Sequence, residues 1–279
     1  MSYKKKKIKK VKWLNILVLL IGIICMISLI ISIKNIVKWN LDKSKTQNQI
    51  DEIQQITTIE EITDNSNTEV IEQKDNIQES NPYWDYIKMD LIDVNFQNLK
   101  SINSDVKGWI QVNGTNINYP FVQHSDNQFY LNHSFDRSYN QAGWVFLDYR
   151  NNINELDNNT IIYAHGRLDN TMFGSLKNIL SSGWLSNNNN YVVKLSTDKN
   201  NSLWQVFSIY HIPTTSDYLQ TNFSSNQEYQ KFLDNLTTRS THNFQATTNY
   251  NDKILTLSTC YNKNERMVLH AKLIKLESK

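Results

Sequence analysis

The stretch KILTLSTCYNKNER, residues 253–266, carries residue types suited to acyl transfer. It holds Cys260, the one cysteine outside the N-terminal apolar run, and Arg266 follows six positions later. Side chains of a strand point to opposite faces in turn, so Ile254, Thr256, Ser258 and Cys260 fall on one face. The thiol and the Ser258 hydroxyl then point the same way. Residues 261–265 read as a turn and 266–271 as the returning strand, which makes Arg266 a neighbour of Cys260 across the hairpin. A guanidinium stays charged at physiological pH and can hold a carbonyl or a developing oxyanion. Taken alone, a cysteine at a strand end also reads as a small buried hydrophobe, so the chemistry needs a base as well.

One histidine has the setting of a base. Residues 160–164 read as a buried strand that stops at His165-Gly166-Arg167, where the glycine permits a sharp turn. Catalytic groups concentrate on loops carried by a rigid sheet. His133 is a second candidate for the same neighbourhood, in a structural or site-ordering role. His124, His211, His242 and His270 have no strand-end setting and no partner legible in the sequence. No carboxylate singles itself out to orient His165, and Asp169, Asp148 and Asp157 all stay open.

The segment TLSTC followed by Arg266, with IIYAHGR upstream, resembles the signature of the sortases. Further blocks resemble the class B branch: LKSINSDVKGWIQVNGTNINYPFVQ, FYLNHSFD, GWVFLDYRN and MFGSLKNIL, in that order. Together they cover roughly the last 200 residues, about one domain. The resemblance implies a membrane-anchored cysteine transpeptidase that cuts a C-terminal sorting signal of Asn/Ser-Pro-x-Thr type from secreted proteins. It further implies transfer of the acyl group to an amine of the cell wall or of a pilin. Cys260 would be the nucleophile, His165 the proton carrier and Arg266 the contact to the scissile carbonyl. Ser258 and Thr259, with His133, would bind substrate or order the site. Ala164 stands where the family often has a glycine before the histidine.

Composition narrows the alternatives. A chain of 279 residues suffices for one good core plus accessories. The formal net charge of +2 provides no field for nucleic acid, and no basic patch with interleaved aromatics appears. With one cysteine in the apolar run and one in TLSTC, an intrachain disulfide is not expected, and an exported domain would keep a free, reactive thiol. No Cys/His cluster has metal spacing and no phosphate- or dinucleotide-binding fingerprint occurs, so neither a metal nor a cofactor is expected.

In chain order, residues 1–12 form a basic segment holding seven lysines, and 13–33 an apolar run long enough to cross a hydrocarbon core as a helix. The lysine excess before the run predicts a single-pass anchor with a cytoplasmic N-terminus and an external C-terminal domain. Residues 34–80 are polar, with isoleucines at 50, 53, 56 and 59, and read as a solvated stalk. The folded domain is expected over 81–279, opening with a helix at Asn81-Pro82 and a second short helix over 94–102 with Val94, Leu99 and Ile102 inward. Eight strands follow, at 109–112, 117–119, 143–147, 160–164, 191–195, 203–210, 254–260 and 267–276. Short strands separated by Asn, Gly and Asp turns predict a mostly-β fold, an eight-stranded β-barrel with flanking helices. Between the sixth and seventh strands Ser225-x-x-Glu228 is a capping box, followed by Tyr229, Phe232, Leu233 and Leu236 at helical spacing.

Two rival functions remain open on the residues alone. One is a cell-wall peptide hydrolase or cysteine protease using the same Cys/His pair. Those folds favour the cysteine at a helix N-terminus, whereas Cys260 closes a strand. The other is an anchored, non-catalytic binding domain, which would not need Cys260, His165 and Arg266 together.

Overall fold

The computed structural model describes residues 13–63, 68–70, 82–262 and 264–279, with Cys260 described through its backbone. The basic segment 1–12, stretches 64–67 and 71–80 of the expected stalk, and Asn81 lie outside these residues. The chain divides into two compact units, one ending at Ser44 and one spanning Lys45–Lys279.

Helix α1 runs Trp13–Ile56, and its N-terminal part is long and apolar enough to cross a membrane or to act as a signal sequence. The large apolar side chains from Trp13 to Leu41 are exposed. The helix does not stop at residue 33 but continues through the first part of the expected stalk.

Within the second unit, the end of α1 is docked rather than solvated. Ile50 and Ile53 are buried, and Asn140 Nδ2 donates to the Thr46 hydroxyl at 3.1 Å. Strand β1 (Ile59–Ile62) pairs antiparallel with β3 (Leu91–Val94), while β2 (Thr68–Val70) pairs with the C-terminal strand. The stalk expectation is therefore corrected over 45–62 and 68–70. One isoleucine per turn buries too little to stabilise a free helix, but it suffices where a folded surface receives it.

The eight expected strands all form: β4 (Val106–Val112), β5 (Asn118–Val122), β6 (Phe146–Leu147), β7 (Asn159–Tyr163), β8 (Val192–Thr197), β9 (Asn200–Pro213), β10 (Ile254–Cys260) and β11 (Glu265–Ser278). They neighbour one another in the order β10-β7-β6-β5-β4-β8-β9-β11, and β11 pairs back onto β10. This closes an eight-stranded mixed barrel, with β2 added to β11 beyond the reach of β10. Closure leaves no open sheet edge along most of the barrel. β5–β6 and β7–β10 are parallel, and the other barrel pairs are antiparallel. Phe121, Ile162, Val193, Leu257 and Leu269 belong to the main core.

Among the described residues, four further α-helices flank the barrel: α2 (Tyr83–Tyr86), α3 (Gln97–Ile102), α4 (Ser182–Leu185) and α5 (Asn226–Thr238). The helix expected over 94–102 is shorter, because Val94 closes β3. Leu99 is buried as expected, whereas Ile102 is 41% exposed. The inward position passes to Asn103, which is already extended and donates to the Tyr130 hydroxyl at 2.8 Å and the Phe135 carbonyl at 2.7 Å.

Helix α5 starts at the expected cap, with the Glu228 N–H donating to Ser225 Oγ at 3.2 Å. The Glu228 carboxylate accepts from Ser224 N–H and hydroxyl, one residue earlier than a reciprocal capping box. Tyr229, Phe232, Leu233 and Leu236 then form a second core with Phe207, Tyr210, Ile254 and Val268 on the outer face of β9, β10 and β11.

Candidate active site

The site is built where two parallel strands end side by side. β7 and β10 pair from Asn159 opposite Ile254 to Tyr163 opposite Ser258, so His165 and Cys260 each lie two positions past the last pair. The Thr259 hydroxyl ties the ends together by donating to the Ala164 carbonyl at 2.7 Å. Across the hairpin, Cys260 and Arg266 are register partners, as the sequence predicts. The Tyr261 N–H donates to the Glu265 carbonyl at 3.0 Å and closes the turn. Arg266 is half-buried, with Nη1 donating to the Glu265 carbonyl at 3.3 Å.

The His165 ring is held by a backbone group. Its Nε2 lies 2.7 Å from the Leu131 carbonyl, which can only accept, so Nε2 carries the proton and Nδ1 is the second ring nitrogen. The loop beyond the histidine is itself fixed: the Phe173 N–H donates to the His165 carbonyl at 3.0 Å. Asn170 and Met172 take left-handed backbone conformations there, at φ of 63° and 52°.

The three carboxylates left open as orienters all have other partners. Asp169 is buried against Arg167 at 2.8 Å and accepts from the Thr171 hydroxyl at 2.6 Å. Burial raises its pKa, but these donors outweigh that and the net shift is downward. Asp148 binds Arg150 and the Tyr163 hydroxyl, and Asp157 accepts from Asn151 Nδ2 at 2.8 Å. The orienting partner is thus Leu131, through an atom that every residue possesses.

A cavity of about 330 Å³ is lined by His165, Arg266, Ser258 and Thr259, together with Asn127, Leu131, Tyr163, Thr214, Tyr218 and Leu219 among others. Part of its lining comes from the loop after β9, where the Tyr218 hydroxyl lies 2.9 Å from Ser258 Oγ. A larger cleft of about 740 Å³, lined by Asp93, Lys100, Asp198 and Lys279 among others, holds none of the expected site residues.

Residues 110–274 match the family model of the sortase domain. Sortase B of Staphylococcus aureus is 37% identical over 185 residues, covering 65% of this chain and 75% of that protein. The chain belongs to the sortase B family. A crystal structure of sortase B complexed with triglycine superposes with a TM-score of 0.61 at 37% identity, covering 64% of this chain and 85% of the other. A Staphylococcus aureus sortase B–substrate complex gives a TM-score of 0.60 at 38% identity, with 64% and 84% covered.

The fold of this sortase therefore brings His165, Ser258, Thr259 and Arg266 to one cavity, and the Cys260 backbone follows Thr259 on β10 as the register partner of Arg266. It leaves His133 out of the cavity lining. That ring stacks on Phe129 at 4.0 Å between centroids, and its Nδ1 donates to the Phe129 carbonyl at 2.7 Å. The remaining histidines of the sortase do have partners: His124 with Asp126, His211 with Glu265, His242 with Tyr191 and His270 with Tyr210. Asn127, Thr214, Tyr218 and Leu219 line the cavity without having been singled out. Leu131 falls in the FYLNHSFD block, but neither spacing nor residue type marks its carbonyl. Among the described residues no group of three or more His, Cys, Asp or Glu is arranged as metal ligands are.

Proposed function

We propose that this sortase B runs its transpeptidation on Cys260, His165 and Arg266, with the acyl donor lying in the cavity beside them. The observation that carries the reading is the common level of three strand ends: β7 leading to His165, β10 ending at Cys260 and β11 beginning beside Arg266. An unperturbed thiol has a pKa of about 8.5, and the nucleophile is the thiolate. Its attack on the scissile carbonyl forms a C–S bond and an oxyanion, which the Arg266 guanidinium holds.

Collapse of that intermediate breaks the peptide C–N bond, and His165 supplies the proton that the leaving amine takes away. With Nε2–H committed to the Leu131 carbonyl, the nitrogen that exchanges this proton is Nδ1. The thioester on Cys260 is then attacked by an acceptor amine, whose proton His165 receives as the C–S bond breaks. Acid and base roles alternate on one ring, so each cycle restores the starting protonation.

The donor is a sorting signal of Asn/Ser-Pro-x-Thr type, and the acceptor is an amine of the cell wall or of a pilin. The triglycine and substrate complexes of related sortase B proteins support a peptide donor and a glycine-type amine acceptor. The N-terminal helix supports anchorage to a membrane, and the lysine excess before it supports a cytoplasmic N-terminus with the barrel outside.

The test incubates the full chain with quenched peptides of the Asn-Pro-x-Thr and Ser-Pro-x-Thr sets, with and without triglycine. A peptide–triglycine product that disappears in Cys260→Ala is the expected result. Cleavage indifferent to triglycine would convert the reading into a hydrolase, and transfer retained in Cys260→Ala would remove the thiol from the mechanism.

A further inference from the structure

Asp148 follows β6 directly, and its side chain is fully buried. A lone buried carboxylate is costly, and this one is surrounded by donors. Arg150 gives it three hydrogen bonds: N–H to Oδ1 at 2.9 Å, Nε to Oδ1 at 2.8 Å and Nη2 to Oδ2 at 2.8 Å. Asn127 Nδ2 and the Tyr163 hydroxyl each donate to Oδ2 at 2.9 Å. Burial opposes ionisation, but Arg150 and Tyr163 outweigh it, and the carboxyl pKa is lowered. The Arg150 fork then reaches past the pair, with Nη2 donating to the Leu219 carbonyl at 3.0 Å.

Three cavity-lining residues therefore hang on one ion pair, and they come from three separate segments. Asn127 precedes the Leu131 turn, Tyr163 ends β7, and Leu219 belongs to the loop after β9, beside Tyr218. Asn127 is held at both ends of its amide, since its Oδ1 accepts from the Tyr149 N–H at 2.9 Å.

We propose that Asp148 and Arg150 are positioning residues that hold these three lining segments of the acyl-donor cavity in a set arrangement. The inference rests on the cavity being the donor site, as proposed above. Neither residue lines the cavity; they act through Asn127, Tyr163 and the Leu219 carbonyl. A lysine at position 150 can neutralise Asp148, but one ammonium cannot reproduce a planar fork that bridges a carboxylate and a carbonyl. That distinction separates a positioning role from a merely structural ion pair.

The test uses the full chain and the quenched peptide that the wild type turns over fastest. Wild-type turnover examines the donor-site reading, and the variants compared with wild type examine the positioning role. Arg150→Lys and Asp148→Asn are measured for KM and kcat, and for iodoacetamide labelling of Cys260 across pH, read by mass on the Cys260 peptide. The expected result is a KM about tenfold higher in Arg150→Lys, with kcat within a few-fold and the labelling profile unchanged, because a charge-assisted hydrogen bond to the wall is lost. Asp148→Asn, if folded, raises KM at least as much; if it does not fold, Arg150→Lys decides alone. A wild-type KM in folded Arg150→Lys overturns the proposal, as does a labelling rate that falls in step with turnover.

Discussion

The two faces of β10 use the same backbone for opposite purposes. On the inner face Leu255 and Leu257 are fully buried in the main core, where shape and volume are all that matters. On the outer face Thr256 and Ser258 are also buried, yet each hydroxyl has an assigned partner. The Thr256 hydroxyl donates to Asn159 Oδ1 at 2.6 Å, so His270 Nδ1 must be the donor in its 2.9 Å contact with Thr256. His270 Nε2 then accepts from the Tyr210 hydroxyl at 2.8 Å, and Asn159 Nδ2 passes the chain on to the Gln220 carbonyl at 2.9 Å. A buried polar chain of this kind specifies one arrangement, because any break leaves a costly unpaired group. The difference teaches that one face of the strand stabilises the barrel while the other fixes the loop that walls the cavity.

Removing the groups that flank the end of β10 has the largest expected effect. His165→Ala and Arg266→Ala each lower turnover by about 10²–10⁴-fold, the scale for removing a proton carrier or an oxyanion donor. Their melting temperatures stay near wild type, and a wild-type turnover rate in either would remove that residue from the mechanism. On the inner face, Leu257→Ala is expected to cost about 2–5 kcal/mol in urea unfolding. A cost below about 1 kcal/mol would show that the two faces are not divided in this way.

The third effect depends on pH. Burial, and secondarily the Arg239 charge, pushes the His270 pKa down to about 3. The folded ring is neutral while the unfolded ring protonates below about pH 6.5, so the unfolded state binds more protons between these values. Stability from this group is complete above about pH 6.5 and declines as pH falls towards 3. The loss is on the order of 3 kcal/mol by about pH 4.5. His270→Gln is expected to flatten the stability–pH slope over that window, and an unchanged slope would contradict a buried neutral ring. The smallest effect is Ser258→Ala, which loses the Tyr218 contact and about 1 kcal/mol. In a double-mutant cycle with Tyr218→Phe the second change should then add little, and full additivity would show that the two hydroxyls are not coupled.

Much of this molecule was legible one segment at a time. All eight barrel strands overlap the expected segments, although β6 keeps only Phe146–Leu147 of 143–147 and β9 and β11 run longer, and α5 is capped by Ser225. Cys260 and Arg266 were legible as cross-hairpin neighbours because a tight turn joins their strands. The docking of Thr46, Ile50 and Ile53 was not, since a sparse apolar stripe looks the same whether or not a surface awaits it. Asp148 looked like one of three equivalent carboxylates until burial and its five donors distinguished it.

The sequence by itself determined the strand periods, the apolar helix, the cap of α5 and which side chains are available for chemistry. Each of these follows from residues within a few positions of one another. Only the tertiary structure decided that β7 runs parallel to β10, that the Leu131 carbonyl holds His165, and that Arg150 reaches the Leu219 carbonyl. Those pairings join segments tens of residues apart, and two of them use backbone oxygens that carry no residue signature. They come into being only when the barrel closes and brings its strand ends to one level.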